Sequence, residues 1–484
     1  MAGRTSRGAA LTLVGDLAVK VLALAVTAVV ATRLDAGTYG LVLLAIAVHG
    51  LVDVLTNPVL ATVLLREPDL TGRLVDVAWT IAVLRGVVLT VLFWVFTPWL
   101  AAFWPDSAET LTAYFRLLAF SFALNGITNL HPVHLRLGLR FLPAFLLESV
   151  SPVVSSVFAL AALSLSPEPV WLIAAQLAGP AASALVSLLL VSPRPRFVLD
   201  QQACARLWRG SAPLLQNGVL GYLLLAGDAI FVEYLAGAAA LGVYGMAQRW
   251  SQMPMKMVVQ RIQNVLMPVY VLLRDDHARA RHVLASSLST MLAAVGLLSG
   301  LVFVFADDFF VLLDGSAWSE AGAVARAFVP FCLAFAVNGC LGAVLLVHGK
   351  LQWLNRIMAL QVTGFFPAMY AGHAAFGLPG VAAGASLVAL GTCSTMVVLT
   401  AKLLEMPRRE FGAVMAVPVV TSAVAVATGW LGVLPVTNAP VRLAVGSAIA
   451  VVVFFVSWEL TSRHPVAPRL QHRSLLQLAR MLAR

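Results

Sequence analysis

Apolar residues run along this chain in stretches of about 20 to 25, separated by short polar breaks, and that length is what an α-helix needs to cross the hydrocarbon of a bilayer. The pattern predicts spans at 8–32, 38–62, 75–100, 111–130, 141–164, 168–191 and 208–234, then 240–267, 282–306, 321–347, 354–375, 379–403, 411–431 and 438–460. Helices are the expected form because every backbone N–H and C=O must be satisfied inside the segment once water is gone. The fold class expected is therefore an all-α polytopic membrane protein of about 14 transmembrane helices.

The breaks alternate in charge. Most of the 32 Lys and Arg fall in the amino terminus, every second loop and the carboxyl tail, among them Arg4, Arg7, Arg66, Arg73, Arg194, Arg196, Arg206, Arg209, Arg279 and Arg281. The other loops hold Arg33, Arg116, Arg326 and Arg442 among acids such as Asp106, Glu109, Asp307, Asp308, Asp314 and Glu320. By the positive-inside rule both termini are cytoplasmic, which requires an even number of spans. Composition agrees: 60% of the 484 residues are hydrophobic and 11% charged, with mean hydropathy +0.91. The net charge of +10 is spent on this rim, which suits anionic membrane lipids, so nucleic acid is not an expected partner. Cys204, Cys332, Cys340 and Cys393 have no metal or disulfide spacing.

The two halves repeat. Tyr39-Gly40-Leu41-Val42 with Ala45 matches Leu241-Gly242-Val243-Tyr244 with Ala247, an offset of 202 on the glycines, and Asn125-Gly126 with Gly138 matches Asn338-Gly339 with Gly349. Six spans per copy make this a parallel repeat, an arrangement in which transporters place the substrate path between the halves. The expected organisation is an N-lobe over 1–191, a cytoplasmic linker over 192–207, a C-lobe over 208–403, two extra helices over 404–460 and a basic amphipathic tail over 461–484.

Ionisable and amide side chains at membrane depth concentrate in four helices. Helix 1 has Asp16 and Lys20, one turn apart and able to neutralise each other. Helix 2 has His49, Asp53 and Asn57 at i, i+4, i+8 before Pro58, suited either to proton transfer or to helix–helix hydrogen bonding. Helix 7 has Gln216, Asn217, Tyr222 and Asp228. Helix 8 carries Gln248, Arg249, Gln252, Lys256, Gln260, Gln263 and Asn264; Arg249, Gln252, Lys256, Gln260 and Gln263 fall within roughly a 100° sector. Two cations on one face with amides between them suggest a hydrated site for a phosphate or diphosphate. Arg85 and Glu148 are expected to snorkel to an interface, and the acids of 307–320 to be a solvated loop face. Walker A, HExxH and paired Cys/His motifs are absent, so neither an enzyme nor a metal or other cofactor is expected.

Thr32-Arg33-Leu34-Asp35-Ala36-Gly37-Thr38-Tyr39-Gly40-Leu41, Leu241-Gly242-Val243-Tyr244-Gly245-Met246-Ala247-Gln248-Arg249 and Gly377-Leu378-Pro379-Gly380-Val381-Ala382-Ala383-Gly384, in this order along the spans, resemble the polysaccharide exporters and O-antigen-type lipid-linked oligosaccharide flippases of the multidrug/oligosaccharidyl-lipid/polysaccharide superfamily. The resemblance implies two six-helix lobes in a V shape, a basic cavity lined by helices 1, 2, 7 and 8, and alternating access. It also implies a bacterial cytoplasmic-membrane location and a polyprenyl-diphosphate-linked glycan as substrate, handed on to a polymerase or other assembly proteins. The expected substrate contacts are Lys20, Arg249, Gln252, Lys256 and Gln260. Asp16, His49, Asp53, Asn57 and Asp228 are the residues available for coupling to protons, sodium or the membrane potential. A lipid II flippase, a cation-coupled multidrug exporter and a glycan polymerase or ligase are the alternatives.

Overall fold

The computed structural model describes residues 2–67, 70–137, 141–273, 276–314, 318, 320 and 321–462. The expected carboxyl tail lies almost wholly outside them, as do Gly138 and Arg140, and the side chains of Asp16, Gln260, Gln263, Asn264 and Asp314 are outside the description too. The described residues contain helices and turns and no strand. In order they are α1 (Ala2–Arg33), α2 (Ala36–Thr56), α3 (Leu60–Arg66), α4 (Gly72–Ala101), α5 (Ala108–Ile127), α6 (Val133–Leu137), α7 (Phe141–Leu165) and α8 (Val170–Leu190). Then come α9 (Gln201–Leu225), α10 (Gly227–Leu272), α11 (His277–Asp314), α12 (Ala321–Val347), α13 (Leu351–Leu403), α14 (Arg408–Leu431) and α15 (Ala439–Ser462).

Eleven helical stretches are long and apolar enough to cross a membrane. Two are much longer than one crossing, and each turns at a glycine with positive φ: α10 at Gly237 (φ +83°) and α13 at Gly377 (φ +64°). Only glycine adopts that backbone without steric cost. Past Gly377 the chain doubles back so closely that a Cβ on Gly372 would stand 2.0 Å from the carbonyl oxygen of Gly380, and one on Gly380 1.9 Å from that of Gly372. The α2 span predicted over 38–62 breaks at Asn57-Pro58-Val59. Pro58 has no N–H to continue the ladder, and Val59 takes a left-handed φ of +49° before α3 starts.

The chain packs as two compact units, Met1–Gly242 and Val243–Arg484. In the first, α4 and α5 lie against each other through small residues: a Cβ on Gly86 would meet the carbonyl of Phe122 at 2.5 Å, and one on Gly126 that of Ala82 at 2.6 Å. Trp79 Nε1 donates to the Ile127 carbonyl at 3.0 Å at one end of this pair. Ser155 ties α7 to α8 through the Ala175 carbonyl (2.7 Å). Also in this unit, the start of α2 crosses residues 238–242 with reciprocal contacts. A Cβ on Gly40 would lie 1.8 Å from the carbonyl oxygen of Ala238, and a Cβ on Gly242 would lie 1.8 Å from that of Ala36. Asp35 caps α2, its carboxylate accepting the Thr38 N–H at 2.9 Å, and those bonds from Thr38 hold its pKa below the ordinary value.

In the second unit α11 is the central helix. Ser422 on α14 donates to the Ala293 carbonyl of α11 (3.2 Å), and Gly296 and Gly300 admit Ser422 and Val426. Gly429 and Gly446 bring α14 and α15 together, and Phe305 fills the space beside Gly446. Asp307 and Asp308, expected on a solvated loop, instead belong to α11. Arg326 on α12 bonds Asp307 at 2.7 Å, and Arg442 on α15 grips Asp308 with both Nε (2.8 Å) and a second nitrogen. The helix runs further than the apolar stretch that predicted it, because these acids find cations on neighbouring helices.

Candidate functional site: polar side chains at membrane depth

In the first unit the polar residues of α2 are held by α4, α5 and α9. His49 stands 2.6 Å from the Ser121 hydroxyl, with its ring over Phe122 at 4.3 Å and the edge of Phe93 at 5.9 Å. One turn on, Asp53 receives Arg85: one guanidinium nitrogen bonds the Asp53 carboxylate (2.7 Å), the Asp53 carbonyl (2.8 Å) and the Thr56 hydroxyl (2.8 Å). Arg85 therefore does not snorkel as expected. It neutralises a carboxylate and caps the last turn of a helix whose next N–H is missing at Pro58. Asn57 uses its side-chain oxygen locally, accepting the Val59 N–H at 3.0 Å. Tyr222 on α9 donates to the Ala47 carbonyl (2.6 Å) and fits where Gly50 has no Cβ. Asp228 is buried at 1% exposure. Lys20 on α1 is half-buried.

In the second unit the stripe on α10 is divided. Arg249 and Lys256 are exposed, Gln248 is half-buried and Gln252 is buried at 1% exposure. Next to Gln252, Ser251 is engaged by α12, donating to the Ala325 carbonyl (3.2 Å) and accepting from Cys332 Sγ (3.2 Å). Of the described stripe residues, the two cations are thus the ones that share an exposed face, seven residues or about two turns apart. Such a spacing lets one guanidinium and one ammonium converge on a multiply charged anion. No group of three or more metal-ligating side chains occurs among the described residues.

The Arg85 bonds and the α11 ion pairs were not foreseen. The signal available for them was an arginine in an otherwise apolar span and basic residues on the acidic side of the charge pattern.

The profile of the polysaccharide biosynthesis protein family matches residues 29–323. The teichuronic acid biosynthesis protein TuaB of Bacillus subtilis (strain 168) is 24% identical over 324 residues, 64% of this chain and 65% of that protein. The succinoglycan biosynthesis transport protein ExoT of Rhizobium meliloti (strain 1021) is 25% identical over 176 residues, 36% of this chain and 34% of that protein. The chain thus matches under two thirds of the length of these curated relatives. Among solved structures, the lipid II flippase MurJ in its inward closed conformation superposes with a TM-score of 0.76 at 12% identity, covering 94% of this chain and 99% of that one. An inward-facing multidrug resistance MATE transporter of the MOP superfamily superposes with 0.62 at 12% identity, covering 80% and 94%. At these identities the likeness is one of fold. With more than half its length matched by the family profile, the chain belongs to the polysaccharide biosynthesis protein family, as a polytopic membrane protein with the fold shared by MurJ and the MATE transporters.

Proposed function

We propose that the protein is a flippase that moves a polyprenyl-diphosphate-linked oligosaccharide across the bacterial cytoplasmic membrane by alternating access, supplying surface or cell-wall polysaccharide synthesis. The observation that carries this reading is the pair of exposed cations, Arg249 and Lys256, on one face of a membrane-depth helix. A diphosphate bearing two or more negative charges is the group such a pair is suited to hold. Family membership and the fold support it. Lys20, Gln252 and Gln260 are assigned to the same substrate path. Asp16, His49, Asp53, Asn57 and Asp228 are assigned to coupling with protons, sodium or membrane potential. We read α1, the eleven candidate stretches and a second crossing in each of the two glycine-kinked ones as fourteen crossings, with both ends in the cytoplasm; the eleven stretches and the two kinks support that reading. We read residues 1–191 and 208–403 as two copies of one unit, with Gly40 and Gly242 as equivalent positions, 192–207 as their linker, and 404–460 as helices added afterwards. The product would pass to a polymerase or other assembly proteins on the far side.

The test is the lipid-linked glycan pool of cells depleted of this protein, sorted by leaflet. A sugar-diphosphate lipid accumulating on the cytoplasmic leaflet supports the reading and names the cargo. Normal arrival of the glycan lipid on the outer leaflet overturns it, and a pool consisting of the peptidoglycan precursor assigns the protein to lipid II instead.

A further inference from the structure

Residues 192–207, read above as a linker, fall inside the first compact unit. Residues 192–200, between α8 and α9, are fastened along one side. Asn129 donates to the Pro193 carbonyl (3.3 Å), Asp76 accepts the Arg196 N–H (3.1 Å), and Thr80 accepts the Val198 N–H (3.0 Å). Phe197 packs on Trp79 with centroids 4.8 Å apart, and Asp200 meets Arg73 at 3.1 Å while capping α9. With its backbone pinned to α4 and the end of α5, the segment presents a fixed outer surface. That surface is apolar and basic together: Phe197 is 68% exposed, Leu199 75% and Trp208 62%, beside exposed Arg194, Arg196 and Arg209. The nearby acids are already matched, Asp200 with Arg73 and Glu67 with Arg206.

Depth decides what covers this face. The span that the apolar pattern predicts over 208–234 opens at Trp208. That places the indole where the helix leaves the hydrocarbon. The headgroup layer, roughly 5–8 Å thick on each side, begins there. Aromatic rings and arginines mixed in this way are what the interface accommodates, rings toward the acyl boundary and guanidiniums among phosphates. We infer that the outer face of residues 194–209 is a docking surface for anionic phospholipid, with Arg194, Arg196 and Arg209 taking headgroup phosphates and Phe197, Leu199 and Trp208 entering the layer below them. The segment is then held to the bilayer on one side and to α4 on the other.

Bromine on lipid tails quenches tryptophan on contact, which gives the test. Full-length protein is placed in vesicles of phosphatidylcholine and phosphatidylglycerol in which either one or the other carries the bromine, at equal bromine content. The chain has 11 Trp, so the Trp208 signal is taken as the difference between wild type and Trp208→Phe. The expected result is quenching of that signal at least twofold stronger with brominated phosphatidylglycerol. The triple variant Arg194→Gln/Arg196→Gln/Arg209→Gln should lose the preference while keeping quenching by brominated phosphatidylcholine, which shows that it is still inserted. Equal quenching by the two lipids in the wild type removes the role of the arginines. No quenching by either puts Trp208 in water and overturns the inference in favour of a soluble protein partner.

Discussion

The polar cluster on α2 and the polar stripe on α10 read alike in the sequence and differ in the structure. On α2, His49, Asp53 and Thr56 are each met by a partner from a neighbouring helix: Ser121 for the first, Arg85 for the other two. On α10, Arg249 and Lys256 project to an exposed face. Charge at membrane depth therefore has two fates here. It holds a broken helix to its neighbours, or it lies on an exposed face. Loss of the first kind should lower stability together with any coupling it carries, whereas loss of the second should lower transport alone, and mutation can separate them.

The largest effect is expected on the stripe. Arg249→Ala with Lys256→Ala should abolish export of the glycan, scored as surface polysaccharide. The thermal midpoint in detergent should shift by no more than about 0.5 kcal/mol would produce, because exposed side chains are being removed. Normal export by the double variant would end the assignment of that face. Next comes the α2 cluster. Arg85→Ala strands the Asp53 carboxylate and uncaps the last turn of α2, at a cost of about 3–5 kcal/mol, seen as a lowered midpoint and reduced membrane yield. Adding Asp53→Asn should recover much of that loss; no recovery would mean that the guanidinium acts through packing rather than charge.

Smaller effects belong to ionisable groups beyond the spans. His131, buried beside Asn129 with Asp76 at 3.7 Å, has its pKa pulled below the ordinary 6.5 by burial, which outweighs the pull of Asp76 in the other direction. Its folded form resists the proton that its unfolded form accepts. Stability should therefore hold above pH 6.5 and fall as the pH drops below it. His131→Asn should flatten that slope in midpoints measured from pH 5 to pH 8. Smallest is the cap on α2: Asp35→Ala should cost about 1 kcal/mol, with Asp35→Ser retaining most of it.

How much of this was visible in the chain varies residue by residue. The apolar periodicity located nearly every long helix, since burial in lipid leaves few other solutions. Pro58 was visible too, yet the span was expected to run on to 62, because a left-handed valine at 59 has no signature in the sequence. The turns at Gly237 and Gly377 lie between adjacent predicted spans, whereas the doubling back of Gly372 on Gly380 depends on three-dimensional approach that spacing does not report. Periodicity put Gln252 in one sector with Arg249 and Lys256. It gives direction around a single helix and is silent about which sector a neighbour will cover, and Gln252 is buried. Arg442 and Asp308 are 134 residues apart, so their pairing could only be guessed from a lone arginine on the acidic side.

The crossing of α2 with residues 238–242 has a consequence for ancestry. Ala36 and Gly40 meet Gly242 and Ala238 reciprocally, at one offset of 202 for the alanines and the glycines, and under the proposed duplication this is the form of contact a two-fold symmetric dimer makes with itself. Under the duplication reading, one ancestral glycine once served both sides of that contact, and any replacement would have put two side chains at the axis at once. Fusion into one chain would then have given each side its own gene segment. From then on the two sides could have diverged one residue at a time without breaking the glycine contact between α2 and residues 238–242.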